Sequence, residues 1–214
     1  MNNYQLKAEN LTKIFGRRLI FKDLNFSFEQ NGIYGIAGHN GSGKSTLVKI
    51  IAGIIGPSMG SIKHLLNNNA IKMEELHNHI GFVSPYLVLY DEFTAEENLR
   101  HFASIRGVEY NQEKVKYLFH EFRLYDRMAD EVKGYSSGMK QRLKYIFALM
   151  HSPSLIILDE PTSNLDNAGK ETVYKLIAEE SAGSIVIVAS NEDTDLALCS
   201  DTIQLEKYKQ VSQK

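Results

Sequence analysis

A glycine-rich segment that ends in a lysine and a serine is the part of this sequence best suited to chemistry. It matches the pattern G-x-x-x-x-G-K-[ST] and reads Gly38-His39-Asn40-Gly41-Ser42-Gly43-Lys44-Ser45. Glycines let the backbone curl until successive N–H groups point at phosphate oxygens, and the start of a helix adds a partial positive charge. The segment therefore predicts a phosphate-binding loop in which Lys44 bridges the β- and γ-phosphates of a nucleotide.

Three polar side chains of this segment have narrower expected roles. Ser45 supplies an oxygen for one position around Mg²⁺, and Thr46, the next residue, adds a donor on the α-phosphate side. His39 occupies a free position of the pattern and is expected to face solvent. The alternative interpretation is a glycine-rich turn before an ordinary helix, but the strand predicted before the loop and the helix predicted after it favour phosphate binding.

Two acids follow an apolar run later in the chain. The run covers residues 155–158, and Asp159 and Glu160 come directly after it. Ligands gather at the carboxyl ends of strands in open α/β sheets, so Asp159 is expected to hold Mg²⁺. Because side chains alternate along a strand, Glu160 is expected on the opposite face, where it orients an attacking water or accepts its proton. The alternative is an acidic turn after a strand.

The hydrophobic pattern predicts the elements that position these groups. Near the start of the chain Tyr4, Leu6 and Ala8 alternate with polar residues, and so do Leu24, Phe26 and Phe28. This alternation indicates antiparallel strands with one buried face. Continuous apolar runs follow at 33–37, 155–158 and 185–188, and helical patterns cover 44–52 and 170–180. Apolar strands that alternate with helices predict an α/β fold with a mainly parallel sheet, joined to an N-terminal antiparallel part.

The middle of the chain has a different pattern. Thr94 and Glu97 form a capping box, and apolar residues recur at helical spacing from Val115 to Phe122 and from Leu143 to Met150. We therefore predict a single domain, in which residues 1–85 and 151–214 form the core of a phosphate-loop nucleoside triphosphatase. Residues 86–150 are predicted to form an inserted helical lobe.

Composition narrows the class of protein. The 214 residues carry 24 basic and 26 acidic side chains, a net charge of -2, whereas a nucleic-acid binder needs a strong basic excess. The lone cysteine, Cys199, excludes a disulfide framework and a cysteine-based metal site. No apolar run approaches the ~18 residues of a membrane span, and the start lacks the pattern of a secretory signal. A cytoplasmic chain is expected, which reaches a membrane only through another polypeptide.

A third motif carries a family resemblance. The segment before the acidic pair reads Tyr135-Ser136-Ser137-Gly138-Met139-Lys140-Gln141-Arg142, and the run after the pair reads Ser163-Asn164-Leu165-Asp166. The first is similar to the LSGGQ signature of ABC transporters and the second to their D-loop. The order of phosphate loop, helical lobe, signature and acid-tipped strand is also the family's. The chain thus resembles the nucleotide-binding subunit of ABC transporters, and most of all the small haem-exporter (cytochrome c maturation) type.

The resemblance implies ATP and Mg²⁺ as ligands and ATP hydrolysis coupled to transport. Phe15 falls where the family stacks an aromatic ring on adenine. The signature residues Ser136, Ser137 and Gly138 are implied to contact the ATP held by a second subunit, in a homodimer or a heterodimer, and Asp166 to shape that interface. The remaining partner is an integral membrane permease, contacted near 86–93, through which this chain would lie peripherally on the inner face of the membrane. A non-transport or regulatory ABC-type ATP-binding protein with weak hydrolysis is the alternative.

Two departures from the family pattern concern turnover. Pro85 stands where a glutamine is expected, and Asn191 stands where a histidine is expected after the strand 185–188. Asparagine can donate a hydrogen bond to a γ-phosphate but does not carry a proton or a charge, and Asn191 is alternatively a turn residue. The resemblance therefore predicts normal binding of MgATP and slower hydrolysis than in a subunit with the full set.

Overall fold

The computed structural model describes residues 3–209 and contains two sheets. The strands are β1 (Tyr4–Phe15), β2 (Arg18–Phe28), β3 (Gly32–Ala37), β4 (Met59–Leu66), β5 (Asn69–Ala70), β6 (Ile80–Val83), β7 (Leu155–Asp159), β8 (Ile185–Ser190) and β9 (Asp201–Gln204). The α-helices are α1 (Lys44–Ile51), α2 (Ala95–Arg106), α3 (Gln112–Glu121), α4 (Ser137–Leu149), α5 (Asn167–Glu180) and α6 (Asp193–Leu196).

An antiparallel sheet in the order β2-β1-β4-β5 is formed by the first part of the chain. The alternation predicted for β1 and β2 is confirmed, since Leu6, Ala8 and Leu24 are buried and their polar neighbours are not. The pattern did not predict β4, which pairs with β1 and adds a third strand. A tight turn joins β4 to β5, where Asn67 and Asn68 both adopt positive φ, a conformation that asparagine tolerates.

The second sheet is parallel, in the order β6-β7-β8-β3-β9. Its central strands β7 and β8 are buried along their whole length, as their continuous apolar runs predict. Alternate residues of β7 enter two different cores. Leu155 and Ile157 pack in the core that contains α1 and the antiparallel sheet, whereas Ile156 and Leu158 pack in the core that contains α4 and α5. The sheet is therefore covered on both faces, and its strand ends lie between the two cores.

The chain leaves the parallel sheet after β6 and returns to it at β7, with α2, α3 and α4 in between. Thr94 begins α2 with both hydrogen bonds of the capping box, to and from Glu97. Val115, Leu118 and Phe119 are buried on one face of α3, the spacing of an amphipathic helix. Among the described residues no helix is long and apolar enough to cross a membrane. The domain boundaries at 85/86 and 150/151 stay a prediction.

Candidate functional site

The glycine-rich loop joins the end of β3 to the start of α1 at the carboxyl edge of the parallel sheet. Its backbone is turned by Gly41 and Gly43, which have φ values of 77° and 110°. A Cβ at Gly43 would lie 2.5 Å from a methyl carbon of Ile20, so glycine is required there on steric grounds as well. Gly43 caps α1 without a side-chain hydrogen bond. The first N–H groups of the helix are therefore available to an anion.

The Lys44 ammonium is held inside this loop. The side chain is 5% exposed, and Nζ lies 2.8 Å from the Gly38 carbonyl oxygen and 3.1 Å from Glu160 Oε1. A buried ammonium is costly unless it is paired, and these two oxygens satisfy it. Lys44 thus presents a fixed positive charge at the mouth of the loop.

Asp159 and Ser45 form the second polar pair of the site. The Ser45 hydroxyl donates to Asp159 Oδ1 at 3.1 Å, while Oδ2 is buried and has no hydrogen-bond partner in the described part of the chain. Burial raises the pKa of the Asp159 carboxyl above its usual range, and the hydrogen bond from Ser45 opposes this shift. A carboxylate with an unused buried oxygen beside a hydroxyl fits Mg²⁺, which binds few protein oxygens and takes phosphates and water as its other ligands.

Glu160 differs from its expected orientation. Strand alternation placed it on the face opposite Asp159, but β7 ends at Asp159 and Glu160 adopts a positive φ of 52°. Its N–H still donates to the Ala189 carbonyl oxygen at 2.9 Å. The turned backbone carries the side chain to Lys44, so the expectation of opposite faces is wrong and both acids line one cleft. A non-glycine residue with positive φ is strained.

These groups surround a cleft of about 750 Å³. Most of the residues selected from the sequence line it, namely Phe15, Asn40, Gly41, Ser42, Gly43, Lys44, Ser45, Thr46, Pro85, Asp159, Glu160 and Asn191. The structure adds two lining residues that the sequence analysis missed, Arg18 and Ile20. It also adds Tyr86, Ser163 and Asn164, which the sequence analysis named only within the segment 86–93 and the D-loop-like run. The predicted pairing of the first two strands could have indicated that Arg18 lies at the site, because Arg18 is the cross-strand partner of Phe15. Ser163 and Asn164 follow the acidic pair after two intervening residues.

The walls of the cleft include the aromatic residue Phe15 and the two residues that depart from the family pattern, Pro85 and Asn191. Phe15 ends β1 and is 49% exposed, with the Lys13 ammonium 4.7 Å from its ring centroid. Its open face is available to a planar base. Pro85 lies just after β6, and Asn191 lies just after β8. Both therefore stand where strand ends converge on the phosphate loop.

The remaining selected residues lie outside the lining. The Gly38 carbonyl oxygen accepts a hydrogen bond from the Lys44 ammonium. His39 is exposed, and its backbone N–H donates to Glu206 at 3.0 Å. Asp166 caps α5 by accepting from the Gly169 N–H at 2.8 Å, so its carboxylate has a partner within its own chain.

The signature residues are also separate from the cleft. Ser136 caps α4 by accepting from the Met139 N–H at 3.2 Å. Ser136 and Ser137 are exposed, and a Cβ at Gly138 would lie 3.4 Å from the Asn164 carbonyl oxygen. The start of α4 is therefore a second helix N-terminus open to solvent, adjacent to a residue of the cleft wall.

Comparisons with known proteins agree with this arrangement. The ABC transporter family matches residues 21–163. YhcH of Bacillus subtilis (strain 168), an uncharacterized ABC transporter ATP-binding protein, is 35% identical over 94% of this chain and 66% of its own length. The ergothioneine transport ATP-binding protein EgtV of Helicobacter pylori (strain G27) is 31% identical over 94% of this chain and 97% of its own. A solved ATP-binding subunit of an ABC transporter shares 27% identity at a TM-score of 0.80, over 94% and 86% of the two chains.

The chain therefore belongs to the ABC transporter family, as an ATP-binding domain of that family. The family and the α/β fold predicted from the sequence are confirmed. The chain spans 66%, 65% and 66% of the length of three relatives from Bacillus subtilis. The haem-exporter type stays a prediction.

Proposed function

We propose that this chain binds and hydrolyses MgATP as the nucleotide-binding subunit of an ABC transporter and powers a separate membrane partner. The observation that carries the proposal is the Lys44 ammonium, 2.8 Å from the Gly38 carbonyl oxygen and 3.1 Å from Glu160. This cation stands beside an uncapped helix start and the Asp159–Ser45 pair. The family and the names of the relatives support the same activity.

Binding of the triphosphate uses the loop and the open start of α1. The backbone N–H groups of Asn40, Gly41 and Gly43 to Ser45 bind the β- and γ-phosphate oxygens, and Lys44 adds a charge-assisted hydrogen bond. The Ser42 N–H instead donates to the His39 carbonyl oxygen, and Thr46 adds a donor on the α-phosphate side. The γ-phosphate thereby takes over the contact that Lys44 makes with Glu160 in this structure. Phe15 stacks on the base, and its exposed ring supports this role.

Ser45 and Asp159 are the residues that would hold Mg²⁺, through the Ser45 hydroxyl and the unpartnered Asp159 Oδ2. When bound there, the ion neutralises charge on the β- and γ-phosphates. Glu160, released from Lys44, orients a water and accepts its proton. The water oxygen bonds to the γ-phosphorus, the bond to the β–γ bridging oxygen breaks, and ADP and phosphate leave. Asn191 donates a hydrogen bond toward the γ-phosphate.

Closure requires a second nucleotide-binding domain, either another copy or a related chain. The first residues of α4 are exposed, and Ser136, Ser137 and Gly138 do not line their own chain's cleft. In the proposed dimer each of these helix starts covers the ATP held by the other chain, since a helix N-terminus favours an anion. Asp166 lies near this interface. The contacts between this helix start and the other chain's nucleotide form only while the γ-phosphate is present. ATP therefore biases the dimer toward the closed state.

The surface proposed to contact the membrane partner is the segment 86–93. It is rich in exposed apolar side chains, with Tyr86 72% and Val88 86% exposed. Exposed apolar clusters mark interaction sites, and Tyr86 also lines the cleft, so this segment connects the nucleotide to the surface. The chain would then be cytoplasmic and held at the inner face of the membrane by a permease. We expect Val88→Glu to reduce co-purification with the permease, and Met59→Glu, on the antiparallel sheet, to leave it unchanged.

The central test of hydrolysis is Glu160→Gln. The variant keeps the size of the side chain but does not accept a proton, so we expect turnover to be abolished while ATP still binds in calorimetry. Glu171→Gln, an exposed acid on α5, is the control and is expected to hydrolyse ATP like the wild type. Full turnover in Glu160→Gln would remove Glu160 from its proposed role.

We also propose that Pro85 and Asn191 slow turnover without weakening the binding of MgATP. Both line the cleft beside the phosphate loop; proline offers no side-chain amide, and asparagine no ionisable proton. Steady-state ATPase rates of Asn191→His and Pro85→Gln test this directly. At least one variant is expected to be faster than the wild type, and no gain in either would contradict the idea.

A further inference from the structure

A buried aspartate behind the cleft connects three segments of the chain. Asp195 lies in the short helix α6 and is 1% exposed. Its carboxylate accepts hydrogen bonds from the hydroxyls of Thr162 at 3.1 Å, Tyr174 at 2.7 Å and Ser190 at 2.7 Å. Asp195 itself does not line the cleft, so any effect on the nucleotide must pass through these neighbours.

Two of the three donors stand next to residues of the cleft wall. Ser190 is the last residue of β8 and immediately precedes Asn191. Its hydroxyl also accepts from the Glu192 N–H at 3.0 Å, so Asn191 is tied on both sides. Thr162 follows Glu160 by two residues and immediately precedes Ser163, which lines the cleft. The third donor, Tyr174, lies on α5, away from the cleft lining.

The carboxylate is held by hydroxyl groups rather than by a cation. Within residues 3–209 no lysine, arginine or histidine nitrogen forms an ion pair with Asp195. Burying a charge is costly unless hydrogen bonds satisfy it, and hydrogen bonds to an ionised acceptor are shorter and stronger than neutral ones. A network of this kind has one satisfied arrangement, which favours a single spacing between the segments it joins.

We infer that Asp195 is a positioning residue, which fixes the Asn191 loop (190–192) and the turn at 162–164 on either side of the γ-phosphate position. The inference rests on the proposed hydrolysis of ATP for its kinetic consequence. Misplacement of catalytic groups by small distances lowers turnover strongly, even when the substituted residue is remote from the chemistry. Ground-state binding through the phosphate loop does not use this network and is expected to be unaffected.

The first test compares Asp195→Asn with Asp193→Asn, an exposed aspartate on the same helix. Both changes remove one negative charge. We expect Asp195→Asn to lower kcat about tenfold with an unchanged Kd for ATP, and Asp193→Asn to change neither. An unchanged kcat in folded Asp195→Asn, with an active wild type, would overturn the inference.

The second test separates positioning from a general structural role. Ser190→Ala and Tyr174→Phe each remove one donor from the same carboxylate. Positioning predicts that Ser190→Ala lowers kcat, whereas Tyr174→Phe lowers Tm and leaves kcat unchanged below the transition. Equal effects of the two variants on kcat would overturn the inference. If Asp195→Asn does not fold, the kcat of Ser190→Ala is compared with that of the wild type instead.

The third readout does not depend on hydrolysis. The Glu192 N–H donates to Ser190, whose hydroxyl donates to Asp195. We therefore expect faster hydrogen–deuterium exchange at the Glu192 amide in Asp195→Asn and in Ser190→Ala, measured by NMR, and wild-type exchange in Asp193→Asn. A wild type that does not hydrolyse ATP would refute the proposed function while the exchange rates still decide the role of Asp195. Wild-type exchange rates at the Glu192 amide in both Asp195→Asn and Ser190→Ala would overturn the inference that Asp195 positions this loop.

Discussion

The helices α1 and α4 both begin at a site proposed to contact phosphate, but the two starts are built differently. Helix α1 begins after Gly43, which has positive φ and provides no side-chain cap. Helix α4 begins after Ser136, whose hydroxyl accepts from the Met139 N–H. The start of α1 is enclosed by Lys44, Glu160 and the rest of the cleft, whereas the start of α4 faces solvent.

This difference indicates two separate tasks. The uncapped start of α1 leaves backbone donors free, and the buried Lys44 ammonium beside them completes an anion site within one chain. At the exposed start of α4, Lys140 is paired with Asp91 and Arg142 donates to the Gly138 carbonyl oxygen. This helix start is proposed to add donors to a ligand held by another chain. In the proposed function one end captures the nucleotide and the other closes over it, and the following variants distinguish these tasks.

The largest effect is expected at α1. Lys44→Ala removes a charge-assisted contact to phosphate, and we expect the Kd for ATP to rise about 100-fold, since such bonds contribute up to about 3 kcal/mol. Isothermal titration calorimetry measures the change. Lys63→Ala, an exposed lysine on β4, is the control and should bind ATP like the wild type. Equal losses in both variants would show a general loss of stability rather than the loss of a contact.

At α4 we expect a loss of turnover without a loss of binding. A methyl group at Gly138 would lie 3.4 Å from the Asn164 carbonyl oxygen, which the fold can accommodate, but it would partly cover the helix start. Gly138→Ala should lower kcat about tenfold and leave the Kd for ATP of the single chain unchanged. Gly134→Ala adds its methyl group to open space and is the matched control. Weaker ATP binding in Gly138→Ala would contradict the division of tasks.

Removing the serine hydroxyl beside each helix start should also change the stability of the protein by different amounts. Ser136→Ala removes the cap of α4, and we expect the free energy of unfolding to fall by about 1 kcal/mol. The Ser42 hydroxyl, just before α1, is buried without a hydrogen-bond partner among the described residues. Removing an unsatisfied group costs little, so Ser42→Ala should be less destabilising. Denaturant unfolding of the nucleotide-free variants compares them, and a larger loss in Ser42→Ala would contradict the assignment of the caps.

The smallest expected effect is a pH dependence at the α1 site. Burial raises the pKa of Asp159, so as the pH falls this carboxylate takes up its proton earlier than an ordinary aspartate. The gain in ATP affinity from Mg²⁺ should therefore decrease on acidification, starting above the pH at which a free aspartate titrates. Ratios of Kd with and without Mg²⁺ across the pH range test this. Asp159→Asn should show no such pH-dependent gain.

Local patterns predicted much of the fold and of the site. The phosphate loop, the capping box at Thr94 and the alternation in β1 depend on neighbouring residues, so the chain shows them directly. Other features depend on distant partners. Strand β4 is defined by pairing with β1, and Arg18 becomes a cleft residue only once the hairpin sets it opposite Phe15. Asp195 joins segments that are up to 33 residues apart.

Sequence alone determined which groups are available for phosphate chemistry, because motif spacing and hydrophobic periodicity are properties of short segments. It also determined the family, since several such motifs occur in one order. The tertiary structure alone decided that Glu160 turns toward Lys44 and that a buried carboxylate joins the loops behind the cleft. A single positive φ and a set of long-range hydrogen bonds set these positions, and both depend on packing that residue order does not display.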